Sequence, residues 1–124
     1  MPNAERVNIV AEALNRRGHT RTYDWTKHGS VADAPADIKR SVAATEAASV
    51  AEAELVVLLL PGRFGTHAEL GIAIATGANK RILLWSETDT PFSGDTGFCV
   101  FYHHPKVERL VCSFDDLLSL LKTV

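Results

Sequence analysis

"LVVLLLPGRFGTHAELGIAIATGANKRILLW", residues 55–85, is the stretch that decides the fold. It opens on an unbroken aliphatic run, Leu55 to Leu60. A continuous run of this length suits a parallel strand covered on both faces. Pro61 to Gly65 then reads as a loop, because proline and glycine punctuate regular structure. Thr66 to Thr76 is apolar at helical spacing and is stopped by Gly77. Arg81 to Trp85 (RILLW) is a second short strand. Strand, helix and strand in that order form a crossover unit, which places the two strands parallel.

Outward from this unit the alternation continues. Upstream, Asp37 to Ala53 is Ala-rich and breaker-free and predicts a helix with a thin apolar face of Ile38, Val42, Thr45 and Ser49. Lys27 to Pro35 holds Gly, Ser, Asp and Pro and reads as a loop. Thr20 to Trp25 (TRTYDW) is rich in β-formers and predicts a strand. A first helix begins at Ala4, with Asn3 as its cap, shows one face of Val7, Val10, Ala11 and Leu14, and stops at Gly18. Downstream, Ser86 to Gly97 is loop-like, and Phe98 to His104 fits either a strand or a loop. Arg109 to Cys112 is a last strand, and Ser113 caps a terminal helix over Phe114 to Leu121.

The expected architecture is therefore α/β. It is a doubly wound, Rossmann- or flavodoxin-like, mostly parallel sheet of about four to five strands in one domain, residues 1–124. No strand precedes the first helix, although such sheets usually begin with a central strand.

In open parallel sheets ligands bind beyond the C-terminal ends of the strands. Pro61 to Gly65 lies at such an end. Gly62 and Gly65 let backbone approach a ligand, and the following helix start offers unpaired N–H groups. Two readings of Glu69 compete. Thr66-His67-Ala68-Glu69 fits a capping box, in which Glu69 only closes the helix start. The same position would keep a carboxylate ionised through the helix dipole, as a glycosidic nucleophile requires.

The residues from Ala53 to Trp85 resemble the core of the nucleoside 2-deoxyribosyltransferase family, which includes the 2-deoxynucleoside 5'-phosphate N-hydrolases. The likeness rests on the strand Leu55 to Leu60, the loop Pro61 to Gly65, Glu69-Leu70-Gly71, the Ala-rich helix, and Gly77 to Lys80. Glu5 to Thr26 resembles the family's first helix and second strand. A second likeness is to phosphoribohydrolases marked by Pro-Gly-Gly-x-Gly-Thr-x-x-Glu, from which this chain departs at Arg63. Both families cleave N-glycosidic bonds.

The deoxyribosyltransferase resemblance implies an enzyme in which Glu69 attacks the anomeric carbon of a 2'-deoxynucleoside or its 5'-monophosphate. The base leaves, and water or a second base takes the sugar. It further implies carboxylates at Glu46 and Glu54, each one methylene longer than the family's Asp; Glu54 reads better as a solvated residue. Asp24, ending the TRTYDW strand, is a third candidate, with a turn as its alternative role. Gly62, Arg63, Phe64, Gly65, Thr66 and His67 are the expected substrate contacts. A non-catalytic nucleotide-binding module on the same fold is the rival reading.

Other signals are weaker. His103 and His104 would point to opposite faces of a strand, so no metal site is expected. No cofactor is implied. The family forms oligomers, so a dimer or larger homo-oligomer is expected, with Phe98, Phe101 and Tyr102 as candidate contacts. Trp25 and Trp85 read as packing residues. A formal net charge of −2 and the lack of basic runs argue against a nucleic-acid surface. No apolar run is long enough to span a bilayer. Cys99 and Cys112 make no disulfide framework, and the N-terminus has no signal-peptide core, so a cytoplasmic protein is expected.

Overall fold

The computed structural model describes residues 3–24, 27, 31–93 and 99–124. Its helices are α1 (Asn3–Asn15), α2 (Ala36–Glu52), α3 (Phe64–Ala75) and α4 (Phe114–Leu121). Its strands are β1 (Leu55–Leu59), β2 (Arg81–Ser86) and β3 (Val107–Val111), with a 3₁₀ turn at Val100–His103 before β3. The three strands form one open parallel sheet in the order β1-β2-β3, with Leu55 beside Arg81 and Ile82 beside Val107.

Both crossovers move across the sheet in the same direction. Connections of one hand then fall on one face of the sheet. Accordingly, Leu70 and Ala73 of α3 and Tyr102 of the 3₁₀ turn share a core with Val56, Leu58, Leu60, Ile82 and Leu84. Val50 and Ala53, at the end of α2, pack against the same core. The opposite face carries α1 and α4, whose Val10, Leu117 and Leu121 pack on Leu59, Leu83 and Trp85. Ile82, Leu83, Leu84 and Trp85 have no exposed surface, so the β2 run is continuous in sequence because both its faces are covered.

Several local expectations hold. Gly18 takes a positive φ of 93°, and the amide of His19 donates to the Leu14 carbonyl, which closes α1. Ser113 accepts from the Asp116 amide at 3.1 Å and caps α4. Trp85 is a packing residue, its Nε1–H donating to the Cys112 carbonyl.

Other expectations are corrected. Among the described residues the sheet has three strands rather than four or five. Thr20 to Asp24 forms no strand; Trp25 lies outside the described residues. Strand propensity measures fit on a pleated surface, and this segment meets no ladder there. Instead, Thr20 to Thr22 borders a groove of about 430 Å³ with Val7, Val10 and Leu14 of α1 and with Leu55 and Val57 on the outer side of β1. Arg21 reaches across to the Asn8 side chain at 2.9 Å.

Phe98 to His104 resolves as the 3₁₀ turn over Val100–His103, with Phe98 outside the described residues. β3 begins two residues earlier than expected, at Val107, and ends at Val111. On α2 no residue is fully buried, and Ile38 is largely exposed. The half-buried residues of that helix are Val42, Glu46, Ala47, Ser49 and Val50, of which Val50 packs against the core. Asn3 is the first residue of α1, and its side-chain amide donates to the Pro61 carbonyl at 3.0 Å, which ties α1 to the loop after β1.

Candidate functional site

The loop after β1 is shaped by Gly62. A Cβ built on it would lie 2.6 Å from the Thr66 side chain. Only glycine lets the chain pass this close before turning into α3. At Gly65 an added Cβ meets nothing within 4 Å, so that glycine is not required by packing.

α3 starts at Phe64, with Arg63 as its N-cap and no side-chain cap hydrogen bond. Thr66 therefore lies within the first turn, and Glu69 lies beyond it. The capping box expected of Thr66 and Glu69 is not formed, because the helix begins three residues earlier than that register needs.

Glu69 is half-buried, and its carboxyl is raised from an ordinary 4.5 to about 7. Desolvation is the larger cause and the negative charge of Glu46 the second. Displaced from the first turn, Glu69 is outside the short reach of the helix dipole. The expectation that the dipole would keep it ionised is overturned: burial and a like charge outweigh it. Glu46 belongs to α2, the helix in contact with α3, so a charge distant in sequence acts on Glu69.

His67 points elsewhere. Two residues along a helix are turned by about 200°, so His67 and Glu69 occupy different sides of α3. His67 Nδ1–H donates to the Arg63 carbonyl at 2.6 Å. That leaves Nε2 of the neutral ring to accept the Tyr102 hydroxyl, also at 2.6 Å. The two rings stack with centroids 5.6 Å apart. Burial, with Cys99 next, raises the Tyr102 hydroxyl above its usual range.

His67 and Tyr102 line a cleft of about 650 Å³ beyond the C-terminal ends of β1 and β2. Gly62 belongs to one wall, Ser86 to Thr88 to another, and Arg6 of α1 to a third. This is where a parallel sheet is expected to hold a ligand. Glu69 and Glu46 do not line it. Among the expected contacts, Gly62 and His67 meet at the cleft. Thr66 backs Gly62. Arg63 supplies the carbonyl that orients His67, and Phe64 is 95% exposed rather than packed.

Asp24 lies in the irregular segment between α1 and α2. It pairs with Arg21 at 3.1 Å, and Arg21 in turn bonds Asn8. Glu54 is exposed, its backbone carbonyl accepting from Arg81. Among the described residues no cluster of three His, Cys, Asp or Glu is disposed to hold a metal ion. His103 and His104 lie in and after the 3₁₀ turn rather than on a strand, and His104 Nδ1 accepts from the Lys106 amide. Phe101 is exposed and Tyr102 is buried, so of these two Phe101 remains open as a contact residue, and Phe98 lies outside the described residues. No described helix is long and apolar enough to cross a membrane.

Arg6, Glu87 and Tyr102 are cleft residues that the sequence alone does not reveal as a group. They come from α1, from the end of β2 and from the 3₁₀ turn, with no shared spacing to betray them. The nearest signal was Tyr102, which could be read as a core or contact residue.

The fold and the cleft place the chain in the α/β class with an open parallel sheet and Rossmann-like layering. Comparison with protein-family models, curated proteins and solved structures finds no match to it.

Proposed function

We propose that the chain cleaves or transfers at the N-glycosidic bond of a 2'-deoxynucleoside or its 5'-monophosphate, with Glu69 as the nucleophile. The observation that carries this reading is Glu69 itself, a half-buried carboxylate one turn past the glycine loop, with the like charge of Glu46 on α2 acting on it. A half-buried carboxylate with a raised titration and a second carboxylate whose charge acts on it are groups that glycosidic chemistry uses. In the proposed step the Glu69 carboxylate bonds to the anomeric carbon while the carbon–nitrogen bond breaks. The base leaves with the electron pair and takes a proton. Water or a second base then displaces Glu69 from the sugar, with retention overall.

The test is release of free base from each deoxynucleoside and its monophosphate, with and without a second base. Wild type should release base and Glu69→Ala should not. A nucleophile must be ionised, so the rate should rise with pH through about 7, where Glu69 titrates. Glu46→Gln removes the like charge and should move that limb to lower pH. A rate that instead falls through the same range would make Glu69 a proton donor and overturn the nucleophile role.

The second reading is a nucleotide-binding module without catalysis. The observation favouring it is that the cleft is lined by Arg6, His67 and Tyr102 and not by Glu69. Nucleotide binding with no base release from any substrate would support it against the enzyme.

A further inference from the structure

Arg6 is an under-satisfied cation in the wall of the cleft. Its guanidinium lies over the Trp85 ring, 5.5 Å from the centroid, and near the Phe114 ring at 5.7 Å. These aromatic faces hold it in place without engaging its donors. Its Nε is shielded from solvent and has no hydrogen-bond partner. Its one ion pair among the described residues is with Glu87, at a long 3.4 Å. Arg6 keeps 22% of its side-chain surface exposed and Glu87 keeps 60%, so the glutamate is free to swing away.

A guanidinium offers five donors in a fixed fork that matches an oxyanion. Leaving a shielded donor unpaired costs free energy that a better acceptor would recover. The cleft in front of Arg6 is also bordered by Ser86, Thr88 and Thr90 and by the glycine at position 62. A tetrahedral anion can reach hydroxyl and backbone donors on several walls at once, whereas a planar carboxylate cannot.

We propose that the cleft between Arg6, Gly62 and Thr88 binds a phosphate group, and that the Glu87 carboxylate stands in its place when the cleft is empty. Binding exchanges one long contact for a charge-assisted pair on Arg6, and Glu87 moves into solvent, where its charge is hydrated. This inference does not rest on the glycosidic reading. The cleft lies on a different side of α3 from Glu69, and the test reads binding rather than turnover.

The experiment titrates the protein with inorganic phosphate at constant ionic strength, following thermal unfolding and backbone amide shifts, with acetate as the comparison anion. Phosphate should bind saturably and shift the amides of Gly62, Glu87 and Thr88. Arg6→Met should weaken binding at least tenfold. Glu87→Gln should strengthen it several-fold, because it removes the internal competitor and a like charge. Glu87 is exposed, so this variant leaves the core untouched and decides the matter even if Arg6→Met folds poorly. Phosphate binding that is absent, that is unchanged in Arg6→Met, or that fails to tighten in Glu87→Gln would overturn the proposal. Equal binding of acetate would overturn the assignment to phosphate.

Discussion

At the scale of single residues, Glu69 is the side chain whose chemistry departs furthest from its free value. Its carboxyl titrates near 7 in the folded protein and near 4.5 when solvated. Between those values the folded chain binds more protons than the unfolded chain, so stability falls as pH rises. Below about pH 4.5 the group is neutral in both states and costs nothing. Above 7 the folded protein must hold a charge that desolvation and Glu46 both oppose. Glu69→Gln should therefore be more stable than wild type by on the order of 2 kcal/mol at about pH 8, after discounting for partial solvent screening. Near pH 4.5 the two should match. Chemical denaturation at the two pH values checks this, and an equal difference at both would mean that Glu69 titrates as a solvated carboxyl. Gly62 makes the other residue-scale prediction. Gly62→Ala drives a methyl into the Thr66 side chain at 2.6 Å and should cost about 1–3 kcal/mol by the same measurement. Gly65→Ala, with open space around it, should cost far less. The sequence offered both glycines equally as loop residues. Which one the packing needs depends on where Thr66 falls in α3, and that was legible only after the helix start was known.

At the scale of elements, α2 shows how a helix without a core stripe is retained. The ammonium of Lys80 donates to the carbonyls of Val50 and Ala51 and to the Thr76 hydroxyl. It thereby adds a charged donor to carbonyls of the last turn of α2 and favours the negative end of its dipole. Desolvation, with Lys106 next, lowers its titration. Lys80→Met keeps the stem and removes the donors, and should destabilise the protein by about 1–2 kcal/mol. It should also raise hydrogen exchange at the end of α2 before it does so in β2. The Ala-rich stretch announced this helix correctly, but its listless apolar pattern could not say what anchors it. The anchor is a lysine more than two dozen positions downstream, brought back by the β1–α3–β2 crossover. The failed strand at Thr20 to Asp24 has the complementary cause. Local composition favoured it, and the ladder it needed was not supplied.

At the scale of the whole molecule, the sheet has one central strand and two outer ones. The β1–β2 ladder uses the amides of Val56, Leu58 and Leu60, as the bond from Leu60 to the Trp85 carbonyl fixes the alternation. The amides of Leu55, Val57 and Leu59 consequently point to the outer side of β1, towards the groove bordered by α1. Hydrogen exchange should show strong protection along β2 and at Val56 and Leu58, and faster exchange at Leu55 and Val57. Uniform protection along β1 would mean that another segment pairs with that edge in solution. The α/β alternation, the two aliphatic strands, the capped terminal helix and the positive-φ stop after α1 were all set by the sequence alone. Each depends on neighbours a few residues away, through side-chain period, backbone sterics and local capping. The number of strands, the side of α3 that each residue takes, the influence of Glu46 on Glu69, and the convergence of Arg6, Glu87 and Tyr102 were decided only by the tertiary structure. They depend on distant segments excluding water together, and it is that exclusion which raises a carboxylate's titration and leaves a guanidinium short of partners.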